Sequence, residues 1–334
     1  MKILDKHIMN RRLDILAFTS FAPFTLIFLG LYHIWPLKME PVDLKIYFII
    51  MGVLIDGSHN YATLYSSYFD ASVRSKLSRM DLWAPLGLFI ISFCFLSLAN
   101  KMIFAHLVAY LAFFHFIRQE YGWMKLSNAL EPHLPPWQRY VDLCVMYVVT
   151  VLPLVWYCKE SLKAFNSVKG DLFMIPDNVA ETLFFLYWPA ALVFFATNAY
   201  WAYRTGTLNL TKWLVFFNVL IVWYVARVWL KNFFLGMTIY LLSHGFAYFI
   251  LVTHRNRLTP TLPWVSKTKI RQGIFIYLSC VLTYVIVMYG LRYNPLSTYL
   301  MNTTFKRILG SLAVTPLLLH YYLDAKIWKR RIQA

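Results

Sequence analysis

Apolar runs of about 20 residues recur along the chain from Leu13 to the C-terminus, and each closes on a short polar or basic stretch. A helix rising ~1.5 Å per residue needs about 20 such residues to cross a hydrocarbon layer ~30 Å thick. The pattern predicts helices near 13–34, 44–69, 82–99, 102–125, 139–157, 180–203, 210–228, 232–254, 271–291 and 305–326. Arg227 and Lys231 interrupt the aromatic run of the seventh, so whether it crosses fully stays open. The longest connections are the proline-rich 126–138 stretch ("EPHLPPW") and the polar 158–179 stretch ending in "IPDN". No soluble domain, low-complexity tract or internal repeat is visible, so residues 1–334 read as a single integral-membrane domain. The expected fold class is all-α: a polytopic transmembrane helical bundle of about ten spans.

Composition agrees: 60% of the residues are hydrophobic and 14% charged. The formal charge of +17 suggests nucleic acid at first sight, but the bases lie in short loops between spans, so nucleic-acid binding is not expected. With the N-terminus inside, about 21 of the 32 Lys and Arg residues fall on the cytoplasmic side and about 11 outside. That bias predicts an N-in/C-in topology, and a bacterial inner membrane is the expected location. "MKILDKHIMNRR" is a basic polar start without the pattern of a cleavable signal peptide. Cys94, Cys144, Cys158 and Cys280 are scattered without CxxC spacing and read as small core residues. Tryptophans and tyrosines concentrate at helix ends, where interfacial anchoring places them.

The candidate chemistry sits inside the apolar runs. On this topology the even-numbered helices run from outside inward, and the second, fourth, eighth and tenth carry His59, His115, His244 and His320. Each lies about 6 to 11 residues before the cytoplasmic end of its helix, ~9–17 Å from the inner boundary. Residues three and four apart share a helix face. Asp56 precedes His59 by one turn, with Asn60 and Thr63 continuing that face; Gln119 follows His115 beside Glu120; Tyr248 follows His244; Asp324 follows His320. Intramembrane ionisable groups are rare and usually functional. The expected site therefore joins the four histidines as metal ligands, with Asp56 and Asp324 as ligands or as carboxylates orienting an imidazole. For any one histidine alone, a hydrogen bond to a neighbouring helix is an equally good reading.

A site within lipid implies a substrate that arrives through lipid, such as an acyl chain, sterol or isoprenoid. Oxidative attack on unactivated C–H or C=C bonds needs a redox metal, because side chains offer no such chemistry. The expected function is a metal-dependent oxidoreductase, with non-haem iron and dioxygen as the reading favoured over zinc. Tyr248 and Glu120 are candidate proton donors or acceptors, and Arg118 is a candidate contact for a phosphate or carboxylate head, or else a snorkelling side chain. An electron-donor protein is a possible partner. Three alternatives use the same residues: a b-type haem electron carrier, a transporter or lipid-binding protein with a polar intramembrane cluster, and a zinc-dependent hydrolase or transferase acting on a headgroup.

The stretches "HNYATLY…YFD", "HFIRQEYG", "HGFAY" and "HYYLDAKIWK" resemble those of a loosely defined set of bacterial multi-pass membrane proteins of uncharacterised activity. By arrangement, His59, His115, His244 and His320 also resemble integral-membrane carotene-cleaving oxygenases, in which single histidines on separate helices are thought to bind iron. That resemblance implies a non-haem iron oxygenase with an isoprenoid substrate. The clustered HxxxH and HxxHH boxes of membrane desaturases are absent, and no two histidines lie closer than nine residues.

Overall fold

A computed structural model describes residues 2–3, 6–19, 21–34, 57–64, 67–68, 74–98, 101–159, 174–230, 233–255, 269–285 and 303–330. The described chain is helical almost throughout, as an apolar chain in lipid must be: a helix satisfies its own backbone N–H and C=O groups where no water can. Among the described residues, five helical segments are long and apolar enough to cross a membrane: Arg79–Leu98, Pro136–Tyr157, Asp177–Thr205, Leu210–Trp229 and Leu235–Val252. These are the helices of an integral membrane protein. The β structure among the described residues is a two-residue parallel pairing, β1 (Lys2–Ile3) with β2 (Thr207–Leu208), and one isolated bridge.

The chain divides into two compact units. The first comprises Met1–Phe48 and Phe113–His244. Its helices are α1 (Arg11–Thr19) and α2 (Phe21–Ile34), with the later part of α5 (Lys101–Ala129). They continue with α6 (Pro136–Tyr157), α7 (Asp177–Phe184), α8 (Tyr187–Thr205), α9 (Leu210–Tyr224) and the start of α10 (Phe233–Arg255). Pro136 opens α6 at the position where a missing N–H is harmless. Gly206 ends α8 at φ 66°, the left-handed conformation that favours glycine at a helix C-terminus. The predicted first span is covered by α1 and α2, and the predicted sixth is α7 followed by α8, parted by a tightened turn in which Leu186 N–H donates to the Leu183 carbonyl at 3.1 Å. The predicted seventh span runs through α9 and then widens into a π-helical turn, Val225–Trp229.

Aromatic packing fills this unit. Phe194 stacks on Phe216 with ring centroids 3.7 Å apart, and Trp123 meets Phe18 edge-on at 5.0 Å. The unit also holds a buried polar network. Lys212 Nζ is 2.7 Å from Glu131 Oε1, 3.2 Å from Asp142 Oδ2 and 3.2 Å from Asn198 Oδ1. The contact to Asp142 is an ion pair without hydrogen-bond alignment; Asn198 Nδ2 supplies that carboxylate with a proper donor at 2.7 Å. Asn209 donates to Glu131 Oε1 and to the Ser127 carbonyl, both at 2.8 Å, and its Oδ1 caps α9 by accepting from Lys212 N–H. Asp14 ties the N-terminal segment down, accepting from the backbone N–H groups of Ile8 and Met9 and from Thr211 Oγ1 at 2.7 Å.

The second unit comprises Ile49–Ala112 and Gly245–Ala334. It holds α3 (Ser58–Leu64), α4 (Arg79–Leu98), the start of α5, the end of α10, α11 (Lys269–Val285) and α12 (Thr303–Arg330). Only 11% of the apolar stretch of α4 is buried, and Trp83, Leu86, Ile90 and Ile91 are exposed, as on a helix facing acyl chains. At the head of α4, Asp81 accepts from the N–H and hydroxyl of Ser78 at 2.8 Å and from Tyr322 of α12 at 2.9 Å. Of the predicted second span, 57–64 and 67–68 fall within the described residues; the remainder, Asp56 included, lies outside them. The predicted ninth span is described as far as Val285.

Candidate metal centre

His115 sits on α5 and His244 on α10, with ring centroids 5.2 Å apart and planes at 85°. Phe116 packs edge-on against His244 at 4.6 Å and Tyr240 lies nearly parallel to it at 6.2 Å, so apolar rings wall both imidazoles. Gln119, one turn after His115, donates from Nε2 to the His244 main-chain carbonyl at 3.1 Å. That bond holds the two helices in register at the histidines. Burial of α10 reaches 78% of its apolar stretch, which makes it an interior helix and explains how it carries polar atoms in lipid.

In the second unit His59 and His320 meet at a centroid distance of 4.7 Å with planes at 88°. Thr63, one turn along α3 from His59, joins them to a tyrosine. Its Oγ1 lies 2.5 Å from His320 Nδ1 and 2.5 Å from Tyr248 Oη. A hydroxyl that engages Nδ1 leaves Nε2 as the nitrogen of His320 able to meet an ion, and it fixes the plane of the ring. Tyr248 also faces His59 edge-on at 6.0 Å and His320 at 5.6 Å.

All four histidines are buried, and each offers a ring nitrogen such that these atoms lie within 4.8 Å of one another. Donor chemistry and spacing both suit a metal ion. Metal–imidazole bonds of ~2.0–2.1 Å place two ligand nitrogens about 3.4 Å apart in a tetrahedral site and about 4.2 Å apart across an octahedral one.

The other sequence-expected residues are distributed around this group. Asp324 is buried one turn beyond His320 and does not belong to the close-set group of four. Glu120 is buried beside the indole of Trp223. Arg118 lies on the exposed side of α5, donating to Tyr147 Oη at 2.6 Å and covering the Tyr121 ring at 4.5 Å. Asn60 is buried next to His59. The sequence reading passed over the Lys212 network and the burial of Arg227, although both announce themselves as ionisable residues within apolar runs, "LTKWLVFFNVL" and "WYVARVW".

Compared with protein-family models, curated proteins and solved structures, the chain matches none.

Proposed function

We propose that His59, His115, His244 and His320 bind one non-haem iron, and that the protein is a membrane-embedded oxidoreductase acting with dioxygen on a lipid or isoprenoid. The observation that carries the reading is the convergence of four buried imidazole nitrogens within 4.8 Å. Four neutral imidazoles fill a tetrahedral zinc site and leave no open position, whereas iron accepts up to six ligands and keeps places for substrate-derived groups and oxygen. Haem fits the spacing poorly: a porphyrin macrocycle has no room amid four ligand nitrogens within 4.8 Å of one another. When bound, the metal supplies the oxidising chemistry that side chains lack.

The residues of the chain have separable tasks in this reading. Thr63 and Tyr248 orient His320 through its Nδ1. Gln119 keeps α5 and α10 in register. Phe116 and Tyr240 exclude water from one flank, so the apolar part of a substrate meets apolar walls. Tyr248 is the proposed hydrogen-bond or proton donor, Asp324 and Asp56 are proposed as carboxylates supporting the imidazoles, and Glu120 as a second proton carrier. Arg118 is proposed to meet a polar head at the bilayer surface, and an electron-donor protein to resupply the centre. About ten spans, an N-in/C-in topology and a bacterial inner membrane complete the proposal.

Elemental analysis of detergent-purified protein, beside His59→Ala and His320→Ala variants, tests it. Stoichiometric iron in the parent and its loss from both variants is the expected result. Equal metal content in all three overturns the shared centre.

A further inference from the structure

Arg227 stands at the middle of the π-helical turn Val225–Trp229, which Leu230 N–H closes by donating to the Val225 carbonyl at 2.9 Å. Its neighbour Trp229 is exposed, yet Arg227 itself is 2% exposed and enclosed by apolar groups. The guanidinium carbon lies 5.3 Å from the Phe113 ring, 5.1 Å from Tyr157 and 5.2 Å from Tyr240. Nη2 donates to the thioether sulfur of Met237, a weak acceptor, at 2.9 Å. Nε and Nη1 are buried and meet no acceptor among the described residues, and no described carboxylate forms an ion pair with this side chain. Gly236 holds the arrangement close: a side-chain carbon there would collide with the Ala226 carbonyl oxygen.

Ring faces offset part of a guanidinium charge but accept none of its N–H bonds directly in the ring plane. A buried, positively charged group with unused donors calls for an anion. We propose that Arg227 anchors a binding site for one monovalent anion. A single negative charge neutralises it, whereas a dianion would leave an unpaired charge of the opposite sign in the same apolar surroundings. The chemistry suits either a free halide or the carboxylate head of an apolar ligand. Tyr240 packs against Arg227 at 5.2 Å and lies nearly parallel to His244 at 6.2 Å, so a carboxylate held here brings the attached apolar body close to the metal centre. That last placement rests on the reading under Proposed function; anion binding itself does not.

Thermal unfolding of the detergent-purified full chain, followed by intrinsic fluorescence in sulfate buffer of constant ionic strength, tests the site. Chloride is titrated in one arm, laurate in a second, and uncharged dodecanol serves as the control for the second. A saturable rise in Tm with chloride that Arg227→Gln abolishes assigns a free halide. A rise with laurate, absent with dodecanol and lost in Arg227→Gln, assigns a carboxylate head. No saturable response to either anion in the parent protein overturns the proposal, as does an undiminished response in Arg227→Gln. If that variant does not fold, Arg227→Lys replaces it: weakening of about tenfold in the dissociation constant supports the site, and an unchanged constant overturns it. Repeating the titration on His320→Ala separates this site from the metal centre, because its anion response persists even where metal is lost.

Discussion

Replacing Thr63 with valine keeps the volume and branching of the side chain and removes one oxygen. That oxygen lies 2.5 Å from both His320 Nδ1 and Tyr248 Oη, in a position without solvent access. Two buried polar groups then lose a partner, each at a cost of about 1–3 kcal/mol if nothing replaces the bond. Part of that cost falls on overall stability, and part falls on the metal, because His320 loses the contact that fixes its ring and its protonated nitrogen. Loss of an outer hydrogen-bond partner of a ligand histidine typically weakens metal binding by about 10–100-fold. Such a loss corresponds to about 1.4–2.7 kcal/mol, which agrees with one orphaned buried group. Competition with a chelator of known affinity, in detergent at neutral pH, measures the change. Thr63→Ser restores the hydroxyl and is expected to recover most of the affinity. Binding by Thr63→Val within twofold of the parent, or an equal loss in Thr63→Ser, refutes the role assigned to the hydroxyl.

Further outcomes follow from the same geometry. Lys212→Met leaves the buried carboxylates of Glu131 and Asp142 without their cation and is expected to destabilise the protein by about 3–5 kcal/mol. The double variant Lys212→Met/Asp142→Asn is expected to recover part of that loss in thermal unfolding, and failure to do so would show that packing of the lysine stem dominates. Metal content is expected to fall on acidification, since imidazoles must be neutral to ligate, and a content independent of pH would count against histidine ligands. Gly206→Ala forces an L side chain into φ 66° and is expected to lower stability by about 1 kcal/mol, read as a Tm shift without change in metal content.

Much of the site is legible in the sequence because polar residues inside apolar runs have few explanations. Four histidines on apolar helices at a common distance from a basic loop single themselves out, and the helix period places Thr63 and Gln119 on the faces they turn out to share. The partners of those faces are not legible. Thr63 is 257 residues from His320, and nothing local specifies that its hydroxyl bridges an imidazole and a phenol. Arg227 illustrates the opposite difficulty. An arginine that interrupts an apolar run does not reveal which rings will enclose it, and its burial becomes visible in the π-helical turn with the tight approach at Gly236. The break at 185–186 escapes the pattern because apolarity continues through it. Lipid selects for apolar length, while helix ends are decided by individual backbone bonds.

The bridge from Thr63 to His320 also sets an order of manufacture. A ribosome exposes α3 early, but the imidazole that completes its partnership belongs to the last described helix, Thr303–Arg330. Nascent chains shorter than that can insert most of their hydrophobic length and still present His59 without its mate. A chain ended before residue 320 therefore lacks one of the four imidazoles of the group.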